Sequence, residues 1–89
     1  MATQYKFFAT ANECADAAAP IFEKRKWYWK QNTHQRYGYI PNRNEIRDEL
    51  LRLAELSHKN EGREAETGRL IVVGGRFGYL DPVNPLQGN

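Results

Sequence analysis

The chain has 89 residues, a formal net charge of +2 and 40% hydrophobic residues. This suits one small globular domain and leaves no room for a second. Its one cysteine, Cys14, cannot form an internal disulfide, and no apolar run reaches the roughly 18 residues of a membrane span. The N-terminus lacks the long apolar segment of a signal peptide. We therefore expect a soluble, cytoplasmic protein with no membrane partner.

The N-terminal part predicts a short strand followed by a helix. Residues 3–8 are rich in aromatic side chains that favour strands. Thr10 and Glu13 then form the T-x-x-E pattern of a capping box, which marks a helix start. One face of this helix repeats small and apolar residues at three- and four-residue spacing: Cys14, Ala17, Ala18, Ile21 and Phe22. Pro20 lacks an N–H donor, so we expect a kink or a break there.

Residues 26–30 have two competing signals. Three consecutive aromatic residues favour a strand by propensity, whereas their seven-residue spacing from Ile21 and Phe22 fits a helical stripe. The spacing leads us to expect a helix. Residues 31–35 are polar and predict a loop, and residues 36–40 are a second candidate strand.

A second helix is marked clearly over residues 43–58. Asn42 and Glu45 form an N-x-x-E capping box, and Ile46 lies where a hydrophobic staple places its apolar residue. The apolar stripe consists of Ile46, Leu50, Leu53 and Leu56, flanked by Leu51 and Ala54. Two acid-first pairs at four-residue spacing support the helix surface: Asp48 with Arg52 and Glu55 with Lys59.

The C-terminal part predicts a β-hairpin. Residues 60–68 predict a loop, and residues 69–73 and 76–80 predict strands joined by Gly74-Gly75, a two-residue turn signal. Gly78 predicts a bulge or a close backbone contact. We expect one α+β domain over residues 1–81, with two helices packed on a small antiparallel sheet that contains this hairpin. Residues 82–89 are expected to form a flexible tail.

Groups that carry chemistry are few. Ser57 and His58 are neighbours at a helix end, where their side chains diverge by about 100°, so they predict no nucleophile and base pair. One cysteine and two distant histidines predict no zinc site. Cys14 lies in an alanine-rich stretch and is expected to be a small buried side chain. We expect neither catalysis nor a cofactor nor a metal.

Charge is distributed unevenly along the chain. Residues 24–43 contain six basic and no acidic residues, while the rest contains seven basic and eleven acidic residues. The same stretch holds five of the eleven aromatic residues. It is therefore the candidate partner-binding segment, with these residues as candidates: Lys24, Arg25, Lys26, Trp27, Trp29, Lys30, Arg36, Tyr37, Tyr39 and Arg43.

Three interpretations of this segment stay open. Tryptophan, tyrosine and arginine are enriched where proteins bind each other. Cations with exposed rings also bind phosphates and stack on unpaired bases. Alternatively, the rings form the core and the cations surround it in solvent. Trp27, Tyr28 and Trp29 are adjacent and cannot all face one way, which predicts at least one ring at the surface.

Two resemblances bear on function. The run from Pro41 to Ile46 resembles the start of the first helix of a winged helix-turn-helix, with the C-terminal hairpin as its wing. Glu61, Glu64 and Glu66 occupy the place of its recognition helix, where acids repel DNA. In size and lack of motifs, the chain is similar to small accessory proteins of bacteriophages, which often inhibit host enzymes or CRISPR effectors.

The expected function is that of a non-catalytic binding protein, a phage-type inhibitor or adaptor that occludes a host protein surface, with an anti-CRISPR role as one example. The alternative is a nucleic-acid-binding module that uses the same residues. A homodimer through the hairpin edge or an exposed aromatic patch is also open.

Overall fold

The computed structural model describes residues 5–29 and 38–81. In chain order these form β1 (Tyr5–Phe8), α1 (Ala11–Arg25), α2 (Arg43–Lys59), β2 (Ala65–Thr67), β3 (Leu70–Val73) and β4 (Arg76–Leu80). The strands make one antiparallel sheet in the order β1-β4-β3-β2. The two helices pack against each other and against this sheet. The α+β class and the C-terminal hairpin are as predicted.

The core lies between the helices and one face of the sheet. Alternating strand residues contribute Leu70, Val72 and Tyr79, all nearly fully buried. The buried side of α1 is made mostly of small residues, namely Ala11, Cys14, Ala15 and Ala18, followed by Phe22. Small side chains let α2 approach α1 closely. The predicted α1 stripe was therefore only partly right, because Ala17 and Ile21 are half-buried while Ala11 and Ala15 are buried.

The helix α1 begins at the predicted N-cap, Thr10, and ends at Arg25, before the aromatic run. The Thr10 side chain accepts a hydrogen bond from the Glu13 N–H at 3.1 Å. The expected break at Pro20 does not occur, since α1 is continuous to Arg25. Pro20 is exposed, and the buried Ala18 and Phe22 pack into the core on either side of it.

The predicted helix over residues 26–30 is wrong for residues 26–29, and Lys30 lies outside the described part of the chain. Lys26 has a left-handed backbone, with φ +57°, and its N–H donates to the Glu23 carbonyl. The Trp27 N–H donates to the Phe22 carbonyl at 2.9 Å, which completes a Schellman motif. Trp29 then forms an isolated antiparallel bridge with Tyr39 through two backbone hydrogen bonds of 2.6 and 3.2 Å. Of the two competing signals in the aromatic run, the strand propensity agrees with this bridge.

The sheet contains β2 instead of the predicted strand over residues 36–40. In the described part of that stretch only Tyr39 pairs, and it pairs with Trp29 outside the sheet. The segment predicted as a loop over residues 60–68 contributes β2, whose Thr67 pairs with Leu70. Gly68 has φ +51° at the first position of the two-residue turn between them, where type II′ turns favour glycine.

The helix α2 confirms its prediction closely. Both hydrogen bonds of the capping box between Asn42 and Glu45 are present. Ile46, Leu50 and Leu53 are buried, but Leu56 is exposed and Ser57 is buried in its place. Arg52 pairs with Glu49, three residues before it, and Asp48 pairs with Arg47.

Glycines shape the β3–β4 hairpin as the sequence predicts. Gly74 and Gly75 have φ +58° and +78°, which fits a type I′ turn. At Gly78 the predicted close contact is present, because a Cβ atom there would lie 2.8 Å from the Phe7 ring. The winged-helix resemblance does not extend to the structure, since a turn and β2 stand where the recognition helix would be. The predicted tail over residues 82–89 lies outside the described part of the chain.

Candidate functional site

The described residues form a groove at one end of the molecule. One wall comes from the end of α1 and the chain after it, and the other from the β2–β3 turn. We call it the aromatic groove; its lining residues are Phe22, Lys26, Trp27, Tyr28, Trp29, Thr67, Gly68, Arg69 and Leu70. Its volume is about 280 Å³. That is near the lower limit of the roughly 300–1,000 Å³ of pockets that enclose a small molecule.

Trp27 is held in place from two sides. Its ring meets the Phe22 ring edge-on, with centroids 5.3 Å apart and planes at 84°. The guanidinium carbon of Arg69 lies 4.0 Å from the centroid of the Trp27 ring, which is a cation–π contact. Trp27 is half-buried as a result and forms a rigid wall of the groove.

Tyr28 is the ring that faces solvent. Its exposed fraction of 62% is the largest among the exposed large hydrophobic residues that the structure describes. This confirms that the three adjacent rings do not all turn inward. Trp27 and Trp29 are among the predicted binding residues, whereas Tyr28 is not. A strand assignment would have found it, because alternate residues of an extended chain point to opposite sides.

Trp29 is fixed by its bridge to Tyr39. Gly38 lies against this bridge, and a Cβ atom there would come within 3.0 Å of the Tyr28 Cβ and 3.1 Å of the Trp29 backbone nitrogen. A side chain at position 38 would therefore press on the two groove residues. Trp29 is half-buried and packs against the core.

Two cations line the groove, Lys26 and Arg69. Lys24 and Arg25 are exposed at the adjoining end of α1. Arg69 lies far from the basic segment in sequence and was missed, since only folding brings it to Trp27. No feature of the local sequence marks it except its place after Gly68 in a possible two-residue turn.

Arg43 and Tyr39 serve the fold at the start of α2. The Arg43 guanidinium contacts the Asp16 carboxylate and the Asn12 side chain on α1. The Arg43 hydrogen bond holds the pKa of Asp16 below its usual range. The Tyr39 hydroxyl donates to Glu45 Oε2 at 2.8 Å. Of the other predicted binding residues, Lys30, Arg36 and Tyr37 lie outside the described residues.

The groups with reactive potential are engaged in the fold. Cys14 is fully buried, and desolvation raises the pKa of its thiol to about 12, which favours the protonated form. The Ser57 hydroxyl donates to the Arg63 carbonyl at 2.6 Å. Within residues 5–29 and 38–81, no group of three potential ligands is placed to hold a metal ion. Neither described helix combines the length and the apolar composition that crossing a bilayer requires.

Comparison with protein-family models, with curated proteins and with solved structures gave no match.

Proposed function

We propose that this protein is a non-catalytic binding module that attaches to a partner protein through the aromatic groove and occludes the surface it binds. The observation that carries the proposal is the exposed Tyr28 ring beside two half-buried tryptophans. Aromatic and arginine side chains in partly formed pockets supply most of the binding energy at protein interfaces. Trp27 and Trp29 are already held in place, so little entropy is lost on binding.

The shape of the groove supports a protein partner. A volume of about 280 Å³ suits one or two inserted side chains better than an enclosed metabolite. Binding of this kind acts by stoichiometric occlusion. It is the mode of the small phage-encoded inhibitors, including anti-CRISPR proteins, to which the sequence is similar in type. We place its action in the cytoplasm of the host cell, where the single reduced cysteine would persist.

The test is capture of a partner with two matched variants. Tyr28→Ser removes an exposed ring from the groove, and Leu51→Ser removes an exposed apolar side chain, 48% accessible, from α2. Wild-type protein on beads should retain a specific protein from a host lysate, and the Tyr28 variant should retain at least about tenfold less. The Leu51 variant should retain as much as wild type. Equal retention by both variants would refute the groove as the binding site.

A second candidate function is nucleic-acid binding. The observation that favours it is the exposed Tyr28 ring near four cations, namely Lys24, Arg25, Lys26 and Arg69. Such a surface would stack on a base while its cations neutralise phosphates. Affinity for a ten-residue oligothymidylate should then fall steeply between 50 and 200 mM salt. Absence of binding at the lower salt concentration would exclude this candidate.

A further inference from the structure

We infer that the aromatic groove takes an acidic segment of the partner protein. A carboxylate of that segment is held by Arg69, and a neighbouring apolar side chain lies against Tyr28 and Trp29. This inference rests on the proposed function and adds the chemistry of the partner. Its basis is an exposed arginine, Arg69, for which no ion pair with a carboxylate occurs within residues 5–29 and 38–81.

Arg69 has a geometry that suits a carboxylate. Its guanidinium lies against the Trp27 ring. A stacked guanidinium still directs its N–H donors outward in its own plane, where they match a carboxylate in a bidentate pair. Arg43 and Arg52 each contact a carboxylate within the chain. For Arg69 no such contact occurs among the residues that the structure describes, so its donors are open to a ligand.

The backbone of Arg69 is also fixed. It is the second residue of the β2–β3 turn, which is closed by the pairing of Thr67 with Leu70. Its carbonyl accepts a hydrogen bond of 2.8 Å from the Leu80 N–H. With both the backbone and the guanidinium held, binding a carboxylate orders few additional bonds, which favours affinity.

The charge of the groove selects an acid. Among the residues that the structure describes, its lining contains Lys26 and Arg69 and no carboxylate. Glu66 is next to the lining residue Thr67, but neighbouring strand residues point to opposite faces of a sheet. On its own face Glu66 accepts a hydrogen bond of 3.2 Å from the Tyr5 hydroxyl. No carboxylate of the described lining residues therefore pairs with these two cations.

The rings favour a polypeptide over a nucleic acid. Binding of single strands relies on successive exposed rings that stack on successive bases. Here the Arg69 guanidinium covers one face of the Trp27 ring, and the Phe22 ring meets it edge-on. Of the adjacent rings Trp27, Tyr28 and Trp29, Tyr28 is therefore the exposed one. One carboxylate and one apolar side chain match a groove of about 280 Å³.

The experiment is a titration followed by NMR. The probes are an acetylated, amidated peptide Gly-Glu-Leu-Glu-Leu-Gly, the same peptide with glutamine in place of glutamate, and a ten-residue oligothymidylate. The signals are the indole N–H groups of Trp27 and Trp29 and the Nε–H of Arg69. We expect saturable shifts with the glutamate peptide and at least about tenfold weaker binding of the glutamine peptide.

Charge-matched variants separate a specific contact from general attraction. Arg69→Gln and Arg76→Gln each remove one positive charge. Arg76 is exposed at the opposite end of β3 from Arg69, where it pairs with Val73. Arg69→Gln should lower the affinity for the glutamate peptide about tenfold, and Arg76→Gln should lower it less than about twofold. Arg69→Lys keeps the charge but loses the bidentate fork, so it should bind with intermediate affinity.

Lys26→Gly removes a charge of the groove without destabilising the fold. Position 26 has φ +57°, which glycine adopts without strain, so the change removes a groove charge and suits the Schellman motif. The variant should bind the glutamate peptide severalfold more weakly than wild type. It should unfold at the same urea concentration as wild type or at a higher one. Unchanged affinity in this variant would count against the inference.

In the titration, any of three results would overturn the inference of an acidic segment. These are no shift with the glutamate peptide at millimolar concentration, equal binding of the glutamine peptide, or tighter binding of the oligothymidylate. Capture of the partner protein distinguishes this failure from failure of the proposed function. If Tyr28→Ser loses the partner and Arg69→Gln retains it, the proposed binding site is supported and the inference of an acidic segment is refuted. If Tyr28→Ser retains the partner, both the proposed binding site and the inference of an acidic segment are refuted.

Discussion

Three adjacent aromatic residues have three different environments in this protein. Trp27 is held between Phe22 and Arg69, Tyr28 faces solvent, and Trp29 is fixed by a backbone bridge. The left-handed Lys26 ends α1, so these three residues do not continue the helix, and Trp29 forms an isolated antiparallel bridge. In an extended chain alternate side chains point apart. The end of α1 at Lys26 is thus one condition for the three environments, and the contacts of Phe22, Arg69 and Tyr39 supply the rest.

Cys14 predicts a dependence of stability on alkaline pH. Burial raises the pKa of its thiol from 9.0 to about 12. Above pH 9 the unfolded chain loses a proton that the folded chain keeps, so the free energy of unfolding falls as pH rises from 9 to 12. The contribution of one group is at most about 1.4 kcal/mol per pH unit.

Urea unfolding at pH 8 and pH 10 checks this. Wild type should lose more stability between the two pH values than Cys14→Ala, in which the titrating thiol is absent. Burial also raises the pKa of Tyr5 and Tyr79, and both tyrosines are present in the two proteins. The charge of Cys14 raises the pKa of Tyr79 further, and this part of the shift is lost together with the thiol in the variant. An equal loss in wild type and variant would contradict the assignment.

At the scale of elements, hydrogen bonds at the start of α2 connect that helix to the groove. Glu45 Oε1 accepts from the Asn42 N–H at 2.8 Å, and Glu45 Oε2 accepts from the Tyr39 hydroxyl at 2.8 Å. Tyr39 in turn carries the backbone bridge to Trp29. One carboxylate therefore supports both the helix cap and the chain that holds a groove ring.

Removing the cap should destabilise the protein. In Asn42→Ala the Glu45 N–H loses its acceptor, which lies at 2.9 Å in wild type. We expect a loss of about 1 kcal/mol in the free energy of unfolding, measured by urea titration. Asn42→Asp keeps an acceptor at the cap and should stay within about 0.5 kcal/mol of wild type. If both variants lost the same amount, the cap would not be the cause.

At the scale of the whole molecule, stability depends on one apolar layer between the helices and the sheet. Leu50 is fully buried in that layer, whereas the next residue, Leu51, is 48% exposed. The two positions are the same amino acid on the same helix. Comparing the same substitution at both positions therefore separates the effect of burial on stability from that of helix propensity.

Leu50→Ala should lower the free energy of unfolding by about 2–5 kcal/mol, through lost burial and the cavity left behind. Leu51→Ala should change it by less than about 1 kcal/mol, because much of that side chain is in water in both states. Thermal and urea unfolding of the pair measure the difference. Similar losses in the two variants would contradict the placement of α2 on the sheet.

Local chemistry in the sequence determined several elements by itself. Asn42 and Glu45 predicted the start of α2, and its apolar spacing predicted the buried Ile46, Leu50 and Leu53. Gly74-Gly75 predicted the hairpin turn. In these cases the interacting groups lie within a few residues of each other, so the pattern and its physical cause appear together in the sequence. The α+β class followed from the same signals.

Tertiary structure alone decided the sheet edge and the groove. The strand β2 has little apolar content and exists through its pairing with β3. The Trp29–Tyr39 bridge and the contact of Arg69 with Trp27 join residues that are distant in sequence. The helical spacing gave a wrong prediction for residues 26–29, because a spacing pattern describes one element at a time. Contacts between elements form only once the chain has folded, and in this protein those contacts build the candidate site.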